Sequence, residues 1–82
     1  MAGTIKQSPV TLYVVPGCPR CARARRWLEH HDIEYVERDV ASDFGALRAM
    51  YRLTRQGLVP VFVVKGRALV RPSDEELEEA LR

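Results

Sequence analysis

No stretch of this chain approaches the ~20 consecutive apolar residues of a membrane-spanning helix. Residues 1–9 carry one lysine and no apolar h-region, so they do not read as a signal peptide. Cysteine is scarce, with two in 82 residues, which excludes a disulfide-dense secreted scaffold. Charge is nearly balanced, and a net +2 gives no argument for a nucleic-acid partner. Repeats, low-complexity tracts and linkers are missing. These absences leave one small domain with a single core. The expected organisation is a loose leader over residues 1–8 and one domain over residues 9–82. The expected setting is cytoplasmic, where a cysteine pair rests mostly reduced. A monomer is expected.

The two cysteines stand together, in Cys18-Pro19-Arg20-Cys21. An apolar run at 10–15 precedes them and a helical-looking segment at 22–31 follows. That context sets Cys18 near a helix N-terminus, where unpaired N–H groups and the helix dipole favour negative charge. A thiol there ionises more readily, and the thiolate is the reactive species. A bridge over so short a loop removes little chain entropy, so a purely structural disulfide is a weak reading. A CxxC pair in a βαβ context reads as a redox motif. Cys18, at the exposed helix end, is the expected nucleophile. Cys21, one turn in, is the expected resolving thiol, with the higher pKa because burial disfavours its thiolate. Arg20 lies between them, as a source of positive charge or as a solvated spacer.

Arg20, Arg23, Arg25 and Arg26 crowd this segment with no acid before Glu29, while residues 74–79 are acidic. One reading is two solvated helix faces of opposite sign. The other is a positive field beside the thiol, stabilising its thiolate and attracting acidic substrates or partners. Metal binding is the chemical rival. Cys18 and Cys21 with His30 and His31 would complete a zinc set, although adjacent histidines point in different directions on a helix. The pair could also hold an iron–sulfur cluster shared between two chains. In either form the chain would be a metal or iron–sulfur binding or carrier module.

Periodicity and breakers set the remaining elements. A buried strand is expected at 10–15, broken by Pro16-Gly17. A helix follows from about 19 to 31, with Pro19 in its first turn. A second strand is expected at 33–40, with Glu34, Glu37 and Arg38 facing water. Ser42 is the expected N-cap of a second helix over about 43–53, with Phe44, Leu47, Met50 and Tyr51 as its inner face. Residues 58–64 form the third strand region, with Pro60 at its start because it cannot donate to a ladder. Lys65-Gly66 is a tight turn into a short antiparallel strand at 67–71. Ser73 caps a last helix, with Glu76 completing a capping box and Leu77, Ala80 and Leu81 facing inward. The order β-α-β-α-β-β-α implies an α/β fold, a four-stranded mixed sheet flanked by three helices. Strands separated by helices are expected to pair in parallel.

In Leu12-Tyr13, Pro16-Gly17-Cys18-Pro19-Arg20-Cys21 and Gly57-Leu58-Val59-Pro60-Val61-Phe62-Val63, the chain resembles a glutaredoxin-type member of the thioredoxin superfamily. The similarity runs over residues 10–81. It implies a thioredoxin-like fold, a redox-active Cys18–Cys21 disulfide, and reduction of disulfides or glutathione mixed disulfides. It also implies a cis Val59–Pro60 bond facing the CxxC pair, with the Val59 backbone holding an incoming peptide or thiol like an added strand. Pro19, Arg20, Val59 and Pro60 are then the substrate-binding set. No bound cofactor is implied, and glutathione or thioredoxin reductase supplies the electrons. The partners are a disulfide-containing protein or a low-molecular-weight thiol, and a reductase. Glutathione-using members usually carry a lysine where this chain has Val15, and a Gly-Gly pair that residues 69–74 lack. Arg71-Pro72 is similar to the matching segment of NrdH-type redoxins, which thioredoxin reductase reduces, but the Trp-Ser-Gly-Phe run usual before it is absent. Mycoredoxins, which use another small thiol, are similar too.

Overall fold

The computed structural model describes residues 10–82. The expected leader over residues 1–8 and the domain's expected first residue, 9, lie outside them. The elements run β1 (Val10–Val14), α1 (Pro19–His30), β2 (Tyr35–Asp39), α2 (Phe44–Thr54), β3 (Val61–Val64), β4 (Arg67–Val70) and α3 (Asp74–Ala80). This is the expected order, with each strand trimmed at its ends. β3 begins at Val61 rather than 58, because Pro60 brings no N–H to the ladder.

The four strands lie in the order β2-β1-β3-β4. The two central strands are nearly continuous apolar runs, as strands covered on both faces must be. Val10, Leu12, Val14, Val61, Phe62 and Val64 are all buried. The edge strand β2 carries Glu37 and Arg38, whose charge protects an otherwise open ladder. Leu28 of α1, Met50 of α2 and Leu77 of α3 close the core against the sheet. No helix among the described residues is long and apolar enough to cross a membrane.

β1 and β2 pair in parallel, as expected, but β3 does not. It runs antiparallel to β1, with Tyr13 opposite Val61. The cause lies in α2. This helix touches both edge strands, β2 and β4, and so lies across the sheet rather than along it. Its 11 residues measure about 16 Å, close to the ~14 Å between the first and fourth strands of a sheet. The chain is carried sideways, and β3 enters at the end of the sheet where β2 left. Arg55, left-handed at φ 59°, ends the helix and turns the chain toward Pro60.

The second helix departs from expectation in two further ways. Its N-cap is Asp43, not Ser42: Asp43 Oδ1 accepts the Ala46 N–H at 3.1 Å. A carboxylate there also suits the helix dipole. Its inner face is built on Ala46 and Met50, while Phe44 and Tyr51 are 72% and 54% exposed. The small Ala46 lets the helix backbone approach the sheet, and the aromatic residues fall to the flanks. Arg48 lies over the Phe44 ring instead of water alone. The Lys65-Gly66 turn and the Ser73–Glu76 capping box form as expected. Both turn residues have positive φ, 51° and 80°, the pattern of a two-residue hairpin loop.

Two substitutions test this packing by urea unfolding. Leu28→Ala empties a fully buried site on α1 and should cost about 2–5 kcal/mol. Ser73→Ala removes the α3 cap and should cost about 1 kcal/mol. A loss for Leu28→Ala no larger than that for Ser73→Ala would contradict the core described above.

Candidate active site

The chain leaves β1 through Pro16 and Gly17. Gly17 has φ +72°, a conformation that glycine adopts without strain. Proline followed by such a glycine is the pattern of a type II turn. Cys18 comes next, extended at φ −91° and ψ 116°, as the N-cap of α1. Pro19 takes the first helical position, where a missing N–H costs nothing. Cys18 Sγ accepts the Cys21 main-chain N–H at 3.1 Å. Sulfur thus fills the place that a serine or aspartate oxygen usually fills at an N-cap. Ionising Cys18 strengthens this cap, because the first turn favours an anion.

Both cysteines are unbridged thiols, Cys18 partly exposed and Cys21 buried. Burial by itself opposes the Cys18 thiolate, but it is outweighed. The Cys21 thiol, the main-chain N–H groups of Cys21 and Arg20, and the Arg71 charge all favour the anion, so Cys18 titrates below the ordinary thiol value. Burial, the hydrogen bond given to Cys18 and the Cys18 charge push Cys21 up to about 11. The two thiols are therefore set apart as expected, one poised to ionise and one held protonated.

Val59 and Pro60 are buried and joined by a cis peptide bond. The antiparallel pairing of β3 with β1 sets Pro60 at the end of the sheet from which Cys18 emerges. Pro60 and Arg20 border one groove. Of the six residues singled out in the sequence, 18–21 open α1 and 59–60 lead into β3, at the same end of the sheet. Arg20 is exposed and offers Cys18 its main-chain N–H. The side-chain charge that lowers Cys18 comes from Arg71 instead.

Arg71 is the site residue that sequence reasoning did not assign. It sits just after β4 with φ 48°. Its main-chain N–H donates to the Pro60 carbonyl at 3.1 Å. Its Nε donates to the Val59 carbonyl at 2.8 Å. One residue thereby holds both carbonyls of the Val59–Pro60 pair and keeps a positive charge beside Cys18. The Val59 oxygen retains a second lone pair for an incoming donor.

The other sequence candidates resolve plainly. His30 and His31 are exposed at the far end of α1, and His31 stacks on Trp27 with centroids 4.0 Å apart. Among the described residues, no three His, Cys, Asp or Glu side chains gather into a metal-holding group. Val15 is half-buried against the core, and residues 71–73 lead directly into the α3 cap.

Thiolate absorbance followed against pH should show two separated steps, the lower one below the ordinary thiol value and the upper near 11. Arg71→Ala should move the lower step upward, since it removes a charge favouring the anion, and Arg71→Lys should move it less. A lower step unmoved by Arg71→Ala would contradict the role given to that side chain.

A family model described as Glutaredoxin matches residues 10–69. A glutaredoxin-like 8.6 kDa protein of the Clostridium pasteurianum rubredoxin operon is 28% identical over 72 residues, which is 88% of this chain and 96% of that protein. The global transcriptional regulator Spx of Listeria monocytogenes is 43% identical over 51 residues, 58% of this chain, and the match spans only 39% of the regulator's length. A crystal structure of glutaredoxin from Archaeoglobus fulgidus superposes with a TM-score of 0.82, covering 92% of this chain and 87% of that one at 19% identity. The fold is the thioredoxin-like one. With its family model covering both cysteines and the Val59–Pro60 pair, the chain belongs to the glutaredoxin family.

Proposed function

We propose that this protein is a thiol–disulfide oxidoreductase acting through Cys18 and Cys21. The observation that carries the reading is the Cys18 sulfur seated as the N-cap of α1, lowered in pKa and beside the cis Val59–Pro60 pair. Cys18 thiolate attacks one sulfur of a substrate disulfide. A bond forms between them, the substrate S–S bond breaks, and the other sulfur departs as a thiolate. Cys21 then gives up its proton and attacks Cys18 Sγ. That forms the Cys18–Cys21 disulfide and releases the second substrate sulfur. Two electrons pass from the protein dithiol to the substrate, and a reductant restores the pair. Val59 and Pro60 orient the substrate with Pro19 and Arg20, the Val59 main chain acting as a strand edge.

Thioredoxin reductase is the proposed electron source, with glutathione as the alternative. Support comes from Val15 and from Arg71-Pro72, which stand where glutathione-using members carry a lysine and a Gly-Gly pair. The proposed setting is cytoplasmic, with a protein disulfide or a low-molecular-weight thiol as substrate. The Spx similarity covers a shared domain rather than the regulators' full length, and transfers no regulatory activity here. A metal or iron–sulfur carrier would have to draw its further ligands from a second chain, and a coloured purified protein would favour that reading.

NADPH consumption with a disulfide substrate tests the proposal. Turnover is expected with thioredoxin reductase alone and to vanish in Cys18→Ser. Turnover only with glutathione and glutathione reductase would reassign the reductant. Cys21→Ser should accumulate a mixed disulfide at Cys18, visible as an added mass on the intact protein. Activity retained in Cys18→Ser would sink the mechanism.

A further inference from the structure

A groove of about 420 Å³ runs away from the thiols between α1 and α3. Pro60 and Arg71 stand at its upper end, and Trp27 contributes apolar surface above the buried Phe62 and Leu77 that form its floor. Arg20, Arg23 and Arg26 line its α1 side. Spacings of three residues bring these arginines to one side of the helix. Arg25, the remaining arginine of α1, turns elsewhere and grips Glu37 through two bonds of 2.7 and 3.0 Å. Arg20, Arg23 and Arg26 make no ion pair with any described residue. The acids of α3 do not answer them. Glu75, Glu76 and Glu79 line a separate cleft with Arg67, and Asp74 alone faces the groove. Cation is thus concentrated on one wall, with Asp74 the one acid among the described residues that line the groove.

We infer that this groove is a docking channel for an acidic segment next to the disulfide of a protein substrate. The inference rests on the dithiol reading and specifies its substrate class. From Arg20 to His30 the α1 wall measures about 15 Å, the length of four to five extended residues. A chain held in strand-like fashion at Val59, with its sulfur at Cys18, adjoins this channel where Pro60, Arg20 and Arg71 line it. Carboxylates along it meet guanidinium groups whose planar forks accept them in pairs. Apolar side chains between the carboxylates rest on the half-buried Trp27. Opposite charge on the two partners also speeds encounter. A neutral disulfide peptide lacks the carboxylate–guanidinium contacts and loses only docking, not chemistry.

The test compares two synthetic peptide disulfides that differ only in whether the flanking residues are Asp and Glu or Ser and Gln. The comparison uses the 82-residue protein and its R23A/R26A double variant. The acidic peptide should show a roughly three- to tenfold lower KM than the neutral one in the parent protein, in the range of a few exposed charge pairs. In R23A/R26A that advantage should disappear while turnover of the neutral peptide is unchanged. Raised salt should reduce it in the parent alone. Trp27 is the chain's single tryptophan and borders the groove, so its fluorescence reports occupancy directly. A cysteine-free acidic peptide should shift that emission in the parent and not in R23A/R26A. Equal KM values in the parent, or an advantage that survives the double variant, overturn the inference. So does an R23A/R26A defect confined to glutathione mixed disulfides, which would assign the groove to a small thiol. If neither peptide is reduced, the dithiol reading has failed, and the fluorescence arm still decides the groove on its own.

Discussion

The hydrogen bond from the Cys21 N–H to Cys18 Sγ is the contact on which the site depends. It is at once a helix cap and a thiolate stabiliser. Its existence requires β1 to end at Val14, Gly17 to take a left-handed conformation, and Pro19 to begin the helix. Each of these is local, encoded within a dozen residues. The long-range part of the fold then has one task, which is to bring a substrate edge to that sulfur. It does so by laying α2 across the sheet, so that β3 starts where β1 ends. Had β3 run parallel to β1, Pro60 would stand at the opposite end of the sheet, a strand length of ~15 Å or more from Cys18.

Local chemistry was legible in the sequence and orientation was not. The Ser73–Glu76 box, the Lys65-Gly66 turn and the Cys18 helix start each rest on residues a few positions apart, whose geometry the backbone dictates. The direction of β3 rests on how α2 crosses the sheet, which no short pattern records. The inner face of α2 failed for a related reason. Hydrophobicity marked Phe44 and Tyr51, but close approach of backbone to sheet favours the small Ala46, and size won over apolarity.

Arg71 lies between these cases. It is 50 residues from Cys21, and the Arg71-Pro72 resemblance gives it no place beside the thiols, yet the hairpin locates it. A two-residue turn at Lys65-Gly66 pairs Val64 with Arg67 and Val61 with Val70. One step further sets Arg71 opposite Pro60, where its main-chain N–H reaches the Pro60 carbonyl. The register of one tight turn therefore points to a strongly basic side chain beside the Val59–Pro60 pair. The signal was present in the spacing but needed the pairing to be followed past the strand's end.

The same contacts give the proposed cycle an internal order. While Cys18 is a thiolate, its charge and the bond it accepts from the Cys21 thiol both hold the Cys21 proton in place. Cys21 cannot then compete for an incoming disulfide. Once Cys18 is bonded to substrate sulfur, its charge is gone and it is a poorer acceptor. Two of the three influences that raise Cys21 fall away together, leaving burial opposed by the Val15 main chain and the Arg25 charge. Cys21 becomes easier to ionise at the step that requires its thiolate. In the proposed cycle, formation of the mixed disulfide thus eases the Cys21 ionisation that resolution needs.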